Sequence, residues 1–195
     1  MGTPITLRSY LEAPGVLGAM ELEDALSRFQ VRELRKKAFL QHAGEVCSGT
    51  AFVEQGCLRA YTMSVELREN ILRFATEGWW ASDLDSFYSG EASDQYLQAV
   101  EDTRIQWIGR EDFLRLLERH PHWKEVHVTK VREAYRFMIE RMNRLRQMSA
   151  EERYRRLLEE RPDLVLRIPL QQLASYLDLE PQSLSRIRAR VARAR

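Results

Sequence analysis

The sequence is short of the residues that mark several protein classes. Only two cysteines, Cys47 and Cys57, occur in 195 residues, which excludes a disulfide framework and fits a reducing, cytoplasmic setting. Cysteines in strand-like runs are expected to be buried and inert. With 9 glycines and 6 prolines the chain is neither collagen-like nor of low complexity. No apolar run approaches the ~18 residues of a membrane span, so no membrane partner is expected. Met1 to Tyr10 has no basic segment leading into an apolar one, and no secretory signal is expected either. His120, His122 and His127 lie near Glu125, but no second cluster at i, i+4 spacing completes a ligand set. Neither a metal nor a cofactor is expected. No Ser/His/Asp order, phosphate loop or paired-carboxylate motif stands out, which leaves no candidate catalytic residue and argues against an enzyme.

What is present is ordinary globular composition, with 44% hydrophobic and 30% charged residues. This length makes one large or two small domains and buries a core without staples. The net charge of +1 conceals a split. Met1 to Val128 holds 14 Lys+Arg against 20 Asp+Glu, whereas Thr129 to Arg195 holds 16 against 9. A basic C-terminal third on an acidic body suggests that one part meets a polyanion.

Three regions follow. Residues 1–122 begin with a helical spacing over Glu21–Phe29 and then change to short β-like runs: Thr50–Val53, Leu58–Met63, Ile71–Ala75, Tyr96–Val100 and Arg104–Ile108. Glycines punctuate them, which suggests a sandwich, barrel or roll. A helix is expected over Arg110–Arg119. Residues 123–148 contain no Gly or Pro, and Val128, Val131, Tyr135, Met138, Met142 and Leu145 are spaced 3, 4, 3, 4 and 3. That seam suits two helices side by side and marks a homodimer interface; a long helix of the chain's own core is the alternative. Phe137 and Ile139 lie off the seam and are expected to touch the rest of the chain. In residues 149–195, Ser149 and Glu152 form a capping box for a helix that stops by Arg161, before Pro162. Pro169 and Pro181 then open two short helices, to Leu177 and Ala192, across an Asp178-Leu179-Glu180 turn.

Two short helices on a three-residue turn, the second rich in arginine, make a helix-turn-helix candidate for double-stranded DNA. With Leu184 and Ile187 facing inward, Gln182, Ser183, Ser185 and Arg186 can point outward near the helix start, where base edges are usually met. Arg188, Arg190, Arg193 and Arg195 complete the candidate DNA-contacting set, since guanidinium groups suit both phosphates and guanine.

The run Gln171-Gln172-Leu173-Ala174-Ser175-Tyr176-Leu177-Asp178-Leu179-Glu180-Pro181-Gln182-Ser183-Leu184-Ser185-Arg186-Ile187-Arg188 resembles the helix-turn-helix of the Crp/Fnr transcription regulators. Phe52-Val53-Glu54-Gln55-Gly56-Cys57-Leu58-Arg59 is similar to the hairpin of that family's cyclic-nucleotide-binding-like roll. The resemblance implies an α+β chain: an N-terminal antiparallel β-roll of the jelly-roll kind, a dimerisation helix and a C-terminal DNA-binding unit. It also implies RNA polymerase as a further partner. Relatives that bind cyclic AMP carry a Gly-Glu pair for the ribose and an Arg-Ser or Arg-Thr pair for the phosphate. Here these line up with Ser82-Asp83 and near Ser93-Asp94. A carboxylate where a phosphate must sit repels it, so cyclic AMP is not expected to bind. A different small-molecule effector would meet Trp79, Trp80, Asp83, Ser93, Asp94 and Tyr96, although aromatic core is the plainer role for the rings. Asp178 replaces the usual turn glycine, Glu180 is a poor N-cap, and no wing follows the second helix. These departures favour the rival reading, a sensory or scaffold module whose helix-turn-helix has become a protein-interaction surface.

Overall fold

In the computed structural model, which describes residues 5–13 and 17–193, eight strands and nine helices are built. Two helices, α1 (Leu7–Glu12) and α2 (Ala19–Ser27), precede the strands β1 (Gln30–Leu34), β2 (Phe39–Gln41), β3 (Gly49–Gln55), β4 (Leu58–Met63), β5 (Glu69–Ala75) and β6 (Trp80–Ala81). A short helix, α3 (Leu84–Ser89), then leads to β7 (Tyr96–Ala99) and β8 (Thr103–Gly109). The strands pair antiparallel in two four-stranded sheets, ordered β1-β8-β3-β6 and β2-β7-β4-β5. Apart from the β4–β5 hairpin, consecutive strands alternate between the sheets, which is what makes a roll. Its interior is filled by Ala51, Val53, Leu58, Ala75, Ala81, Ala99 and Ile105.

The β3–β4 turn requires glycine. Gly56 sits at φ +96, and a Cβ there would come 2.7 Å from the carbonyl oxygen of Asp102. All five expected strand runs are strands. The sequence reading missed β1, β2 and β6, and also α1, α3 and α7 (Pro162–Arg167). Each of these has seven residues or fewer, too short for a period to emerge. The cap explains α3: the Asp83 carboxylate accepts the Asp85 amide at 3.2 Å, and Gly90 ends the helix at φ +76.

Helix α4 (Arg110–Arg119) packs Phe113 and Leu116 with Leu7, Leu11, Phe52, Phe87 and Ile108 on the outer side of the first sheet. His120 ends it, and Pro121 opens α5 (Pro121–Gln147), whose 27 residues span about 40 Å at 1.5 Å each. Ser149 caps α6 (Ala150–Glu160), accepting the Glu152 amide at 3.3 Å while Glu152 accepts the Ser149 amide at 2.7 Å. After α7, helices α8 (Leu170–Tyr176) and α9 (Pro181–Arg193) complete the chain.

The C-terminal helices share one core with the second sheet. Leu157, Leu164, Ile168, Leu173 and Leu184 pack in a single cluster with Tyr61, Ile71 and Phe74. Polar contacts reinforce it. The Ser175 hydroxyl accepts the Ile71 amide at 2.9 Å and donates to the Glu69 carbonyl at 2.7 Å. Arg167 bonds both oxygens of Glu77 at 2.9 Å and pairs with Glu101, and Arg161 donates to Thr76 at 2.8 Å.

Candidate nucleic-acid interface and the roll interior

The turn between α8 and α9 is built by backbone bonds. Asp178 adopts φ +54, the left-handed conformation that Asp tolerates better than most residues. The Leu179 amide returns to the Ala174 carbonyl at 2.9 Å. Arg153 of α6 donates to the Leu177 carbonyl at 3.0 Å, and Arg68 of the β4–β5 hairpin reaches Glu180 at 3.3 Å. Glu180, a poor cap, thus shares a surface arginine of the roll with Glu66.

Helix α9 buries Leu184, Ile187 and Val191. At 100° per residue, Gln182, Ser185, Arg186 and Arg193 fall on the opposite, exposed face. Ser183 and Arg188 are exposed on the flanks. Arg190 points to α6 and pairs with Glu151 at 2.6 Å. Hydrogen bonds from Arg155 and then Arg190 hold the Glu151 carboxyl below its ordinary range. Arg190 therefore braces the helix from its side, apart from the outward stripe. Arg195 lies outside the described residues.

On α5 only Trp123 is buried. Val128, Tyr135, Met138 and Met142 are exposed, Tyr135 by 68% and Met138 by 67%. Val131 and Leu145 are half-buried, and Leu145 lines a crevice against α6. The other side of α5 faces its own chain. His127 sits 5.0 Å from the Phe113 ring, Phe137 meets Trp79 at 5.6 Å, and Arg141 donates to the Tyr176 carbonyl at 2.8 Å. Phe137 lies off the seam, and its contact with Trp79 is of the kind its position suggested.

The residues expected to line an effector pocket are dispersed. Trp80 packs with Phe29 and Phe52 on the side of α1 and α2. Trp79 lies on the other side, between Phe137 and Arg161. Tyr96 stacks on Tyr61 at 5.0 Å, and Asp94 is exposed. Only Asp83 and Ser93 are joined: both are buried, and the Ser93 hydroxyl donates to Asp83 at 2.6 Å. Two arginines were not singled out from sequence. Arg59 is buried, bonded to Glu69 at 2.7 Å and to Gln98 at 2.6 Å. Arg73 donates to the Ser82 carbonyl; burial lowers its pKa, and the charge of Asp83 opposes that shift. The available signal was a charged residue two before Ala75 in an apolar strand; a bulge between Arg73 and Ile71 turns Ile71 to the other face, with Tyr61 and Phe74.

Two of the histidines meet acids of α2: His120 Nε2 is 2.6 Å from Asp24, and His122 Nδ1 is 3.0 Å from Glu21. Among the described residues no group of three or more His, Cys, Asp or Glu is placed to hold a metal ion. Burial pushes the Cys57 thiol up to about 12 and raises that of Cys47 as well, so both stay protonated near neutral pH. No helix of the described residues is long and apolar enough to cross a membrane.

Residues 31–120 match the cyclic nucleotide-binding domain family. No curated protein sequence matches the chain. Among solved structures, FixK2 from Bradyrhizobium japonicum aligns with a TM-score of 0.75 and 19% identity, covering 85% of each chain. CLP from Xanthomonas campestris, a c-di-GMP-responsive global regulator, aligns at 0.72 with 16% identity over 91% of this chain and 93% of its own. A protein from Eubacterium rectale assigned to the Crp/Fnr family aligns at 0.73 with 16% identity over 92% and 85%. Residues 31–120 are thus similar to the cyclic nucleotide-binding domain family, and the chain as a whole shares the fold of these solved structures, one of which is assigned to the Crp/Fnr family.

Proposed function

We propose that the chain is a homodimeric, DNA-binding regulator of transcription that does not respond to cyclic AMP. The observation that carries this reading is the face of α9. Gln182, Ser185, Arg186 and Arg193 are exposed together on one side of a helix whose other side is locked into the core by Leu184, Ile187 and Val191. An exposed stripe without acids, at the start of the second helix of a helix-turn-helix, suits the major groove. Two such units, carried at the same end of paired α5 helices, would read half-sites about 34–36 Å apart. RNA polymerase is the further partner that this reading implies.

The reading is tested by contrast between positions. Gln182 can donate to and accept from adenine N6 and N7. Gln182→Ala should relax one base position and cost about 1–3 kcal/mol on the preferred site, with little change on random DNA. Arg193→Ala should weaken binding to all sequences and flatten the salt dependence, as loss of a phosphate contact does. Selection of bound DNA from a random pool, followed by titrations at several salt concentrations, measures both. Equal losses on specific and random DNA for the two variants would reduce α9 to an electrostatic anchor. No DNA binding at low salt would favour the protein-interaction reading.

The effector part of the proposal rests on Asp83 and Ser93, whose side chains bond each other and which the resemblance aligns with the ribose and phosphate positions, respectively, of relatives that bind cyclic AMP. Calorimetry should show negligible binding of cyclic AMP. A dissociation constant below about 10 μM, stronger than about −7 kcal/mol, would overturn it.

A further inference from the structure

Helices α4 and α5 leave between them an open groove of about 440 Å³, lined by Leu114, Leu117 and Glu118 of α4 and by Pro121 and Lys124 of α5. Its position is informative. Pro121, Lys124 and Val128 are spaced 3 and 4, which continues without a break into the 3-4-3-4-3 spacing from Val128 to Leu145. The groove therefore lies on the same stripe of α5 as the apolar seam, at its N-terminal end.

Its charges are informative too. Lys124 is the cation on this otherwise uncharged stripe, and Glu118 is exposed in the same groove. Arg115 is paired within the chain with Glu111 and Asp112, and Arg119 with Asp24; Glu125, beside Lys124 but off the stripe, is exposed and makes no ion pair among the described residues. Lys124 and Glu118 have no ion-pair partner among the described residues. If two α5 helices run parallel about a two-fold axis, each seam residue meets its own copy, so two Lys124 ammonium groups face one another. Like charges at that spacing repel unless an anion joins them.

We propose that the groove is the N-terminal end of the subunit interface. It receives the α4–α5 corner of a second copy of this chain, and each Lys124 pairs with Glu118 of the partner subunit. The inference rests on the homodimer reading and adds to it a second, polar contact that fixes parallel orientation and register.

Charge reversal on the full chain tests it, read as the dimer dissociation constant by sedimentation equilibrium. Lys124→Glu alone and Glu118→Lys alone each place like charges in both copies of the groove, and each should weaken the dimer about tenfold or more. The double variant restores the pair with inverted sign and should return to within about threefold of the wild type. Both residues are exposed, so far-UV circular dichroism should not change, and the thermal midpoint should fall only by the lost contribution of association, converging on the wild type's as concentration is lowered. Single variants within twofold of the wild type, or a double variant no better than the weaker single, would overturn the proposal. Val131→Glu with Met138→Glu is the control. If that variant splits the dimer while the groove variants do not, the groove alone fails. If the wild type is a monomer at micromolar concentration, the groove and the homodimer reading fall together.

Discussion

Val131→Glu combined with Met138→Glu is expected to convert the proposed dimer to monomers and to abolish the tight DNA binding proposed for it. The two positions are seven residues apart on the seam, and the two-fold axis presents each of them twice. Four carboxylates would then enter an apolar contact with no cations opposite, and an unpaired ion removed from water costs several kcal/mol. A loss of about 4 kcal/mol already raises a dissociation constant about a thousandfold. The monomer should still fold, because Met138 is 67% exposed in the single chain and Val131 is half-buried. Sedimentation velocity should show a mass near 23.0 kDa. Affinity for a two-half-site DNA should fall at least a hundredfold, because the second unit no longer binds at high local concentration. A double variant that remains dimeric would move the interface away from this stripe.

Arg167→Ala should be the most destabilising single substitution outside the apolar core. Its guanidinium joins Glu77, which follows β5, and Glu101, which follows β7, to the C-terminal helices. Removing it leaves two neighbouring carboxylates unpaired. Arg167, Glu77 and Glu101 keep 25%, 33% and 35% of their side-chain exposure. The expected loss is therefore about 2 kcal/mol, below the 3–5 of a fully buried pair. The substitution also changes the acid response. Burial raises the Glu77 pKa, but hydrogen bonds from Arg167 and the Gly56 amide outweigh it and hold the carboxyl below its ordinary value of 4.5. A depressed carboxyl stabilises the fold above its unfolded pKa and loses that contribution as pH falls through the folded value. Urea unfolding at pH 7 and at successively lower pH below 4.5 should show a difference between wild type and Arg167→Ala that shrinks with acid. A difference independent of pH would mean that Arg167 acts through packing of its aliphatic stem.

Much of this architecture was legible where a period runs long enough to be counted. The 3-4 spacing from Val128 to Leu145 placed α5 to within two residues at its start, and Ser149, Pro162 and Pro181 marked real helix boundaries. Trp79 and Trp80 show what adjacency in sequence conceals. Consecutive residues of an extended segment point to opposite sides, so one tryptophan faces α5 and the other the α1–α2 side, and they cannot line one pocket. Arg190 shows the same limit on a helix. It lies one turn after Arg186, only about 40° away, and what sets it apart is its partner Glu151, 39 residues away, where no local pattern points. Arg73 escaped notice because an inward arginine has the same letter as an outward one, and the bulge between Arg73 and Ile71 breaks the alternation that would distinguish them.

The two bonds made by Ser175 have a consequence for colloidal behaviour. β5 is the last strand of its sheet, and Ser175 occupies both the amide of Ile71 and the carbonyl of Glu69 on its outer side. An uncovered strand end of this kind is a template for pairing with another chain. Any event that swings α8 and α9 away from the roll therefore exposes unsatisfied backbone groups together with Ile71 and Phe74. The freedom of α9 is thus tied to resistance against strand-to-strand aggregation: the helix that covers the sheet end, α8, is the one that precedes it.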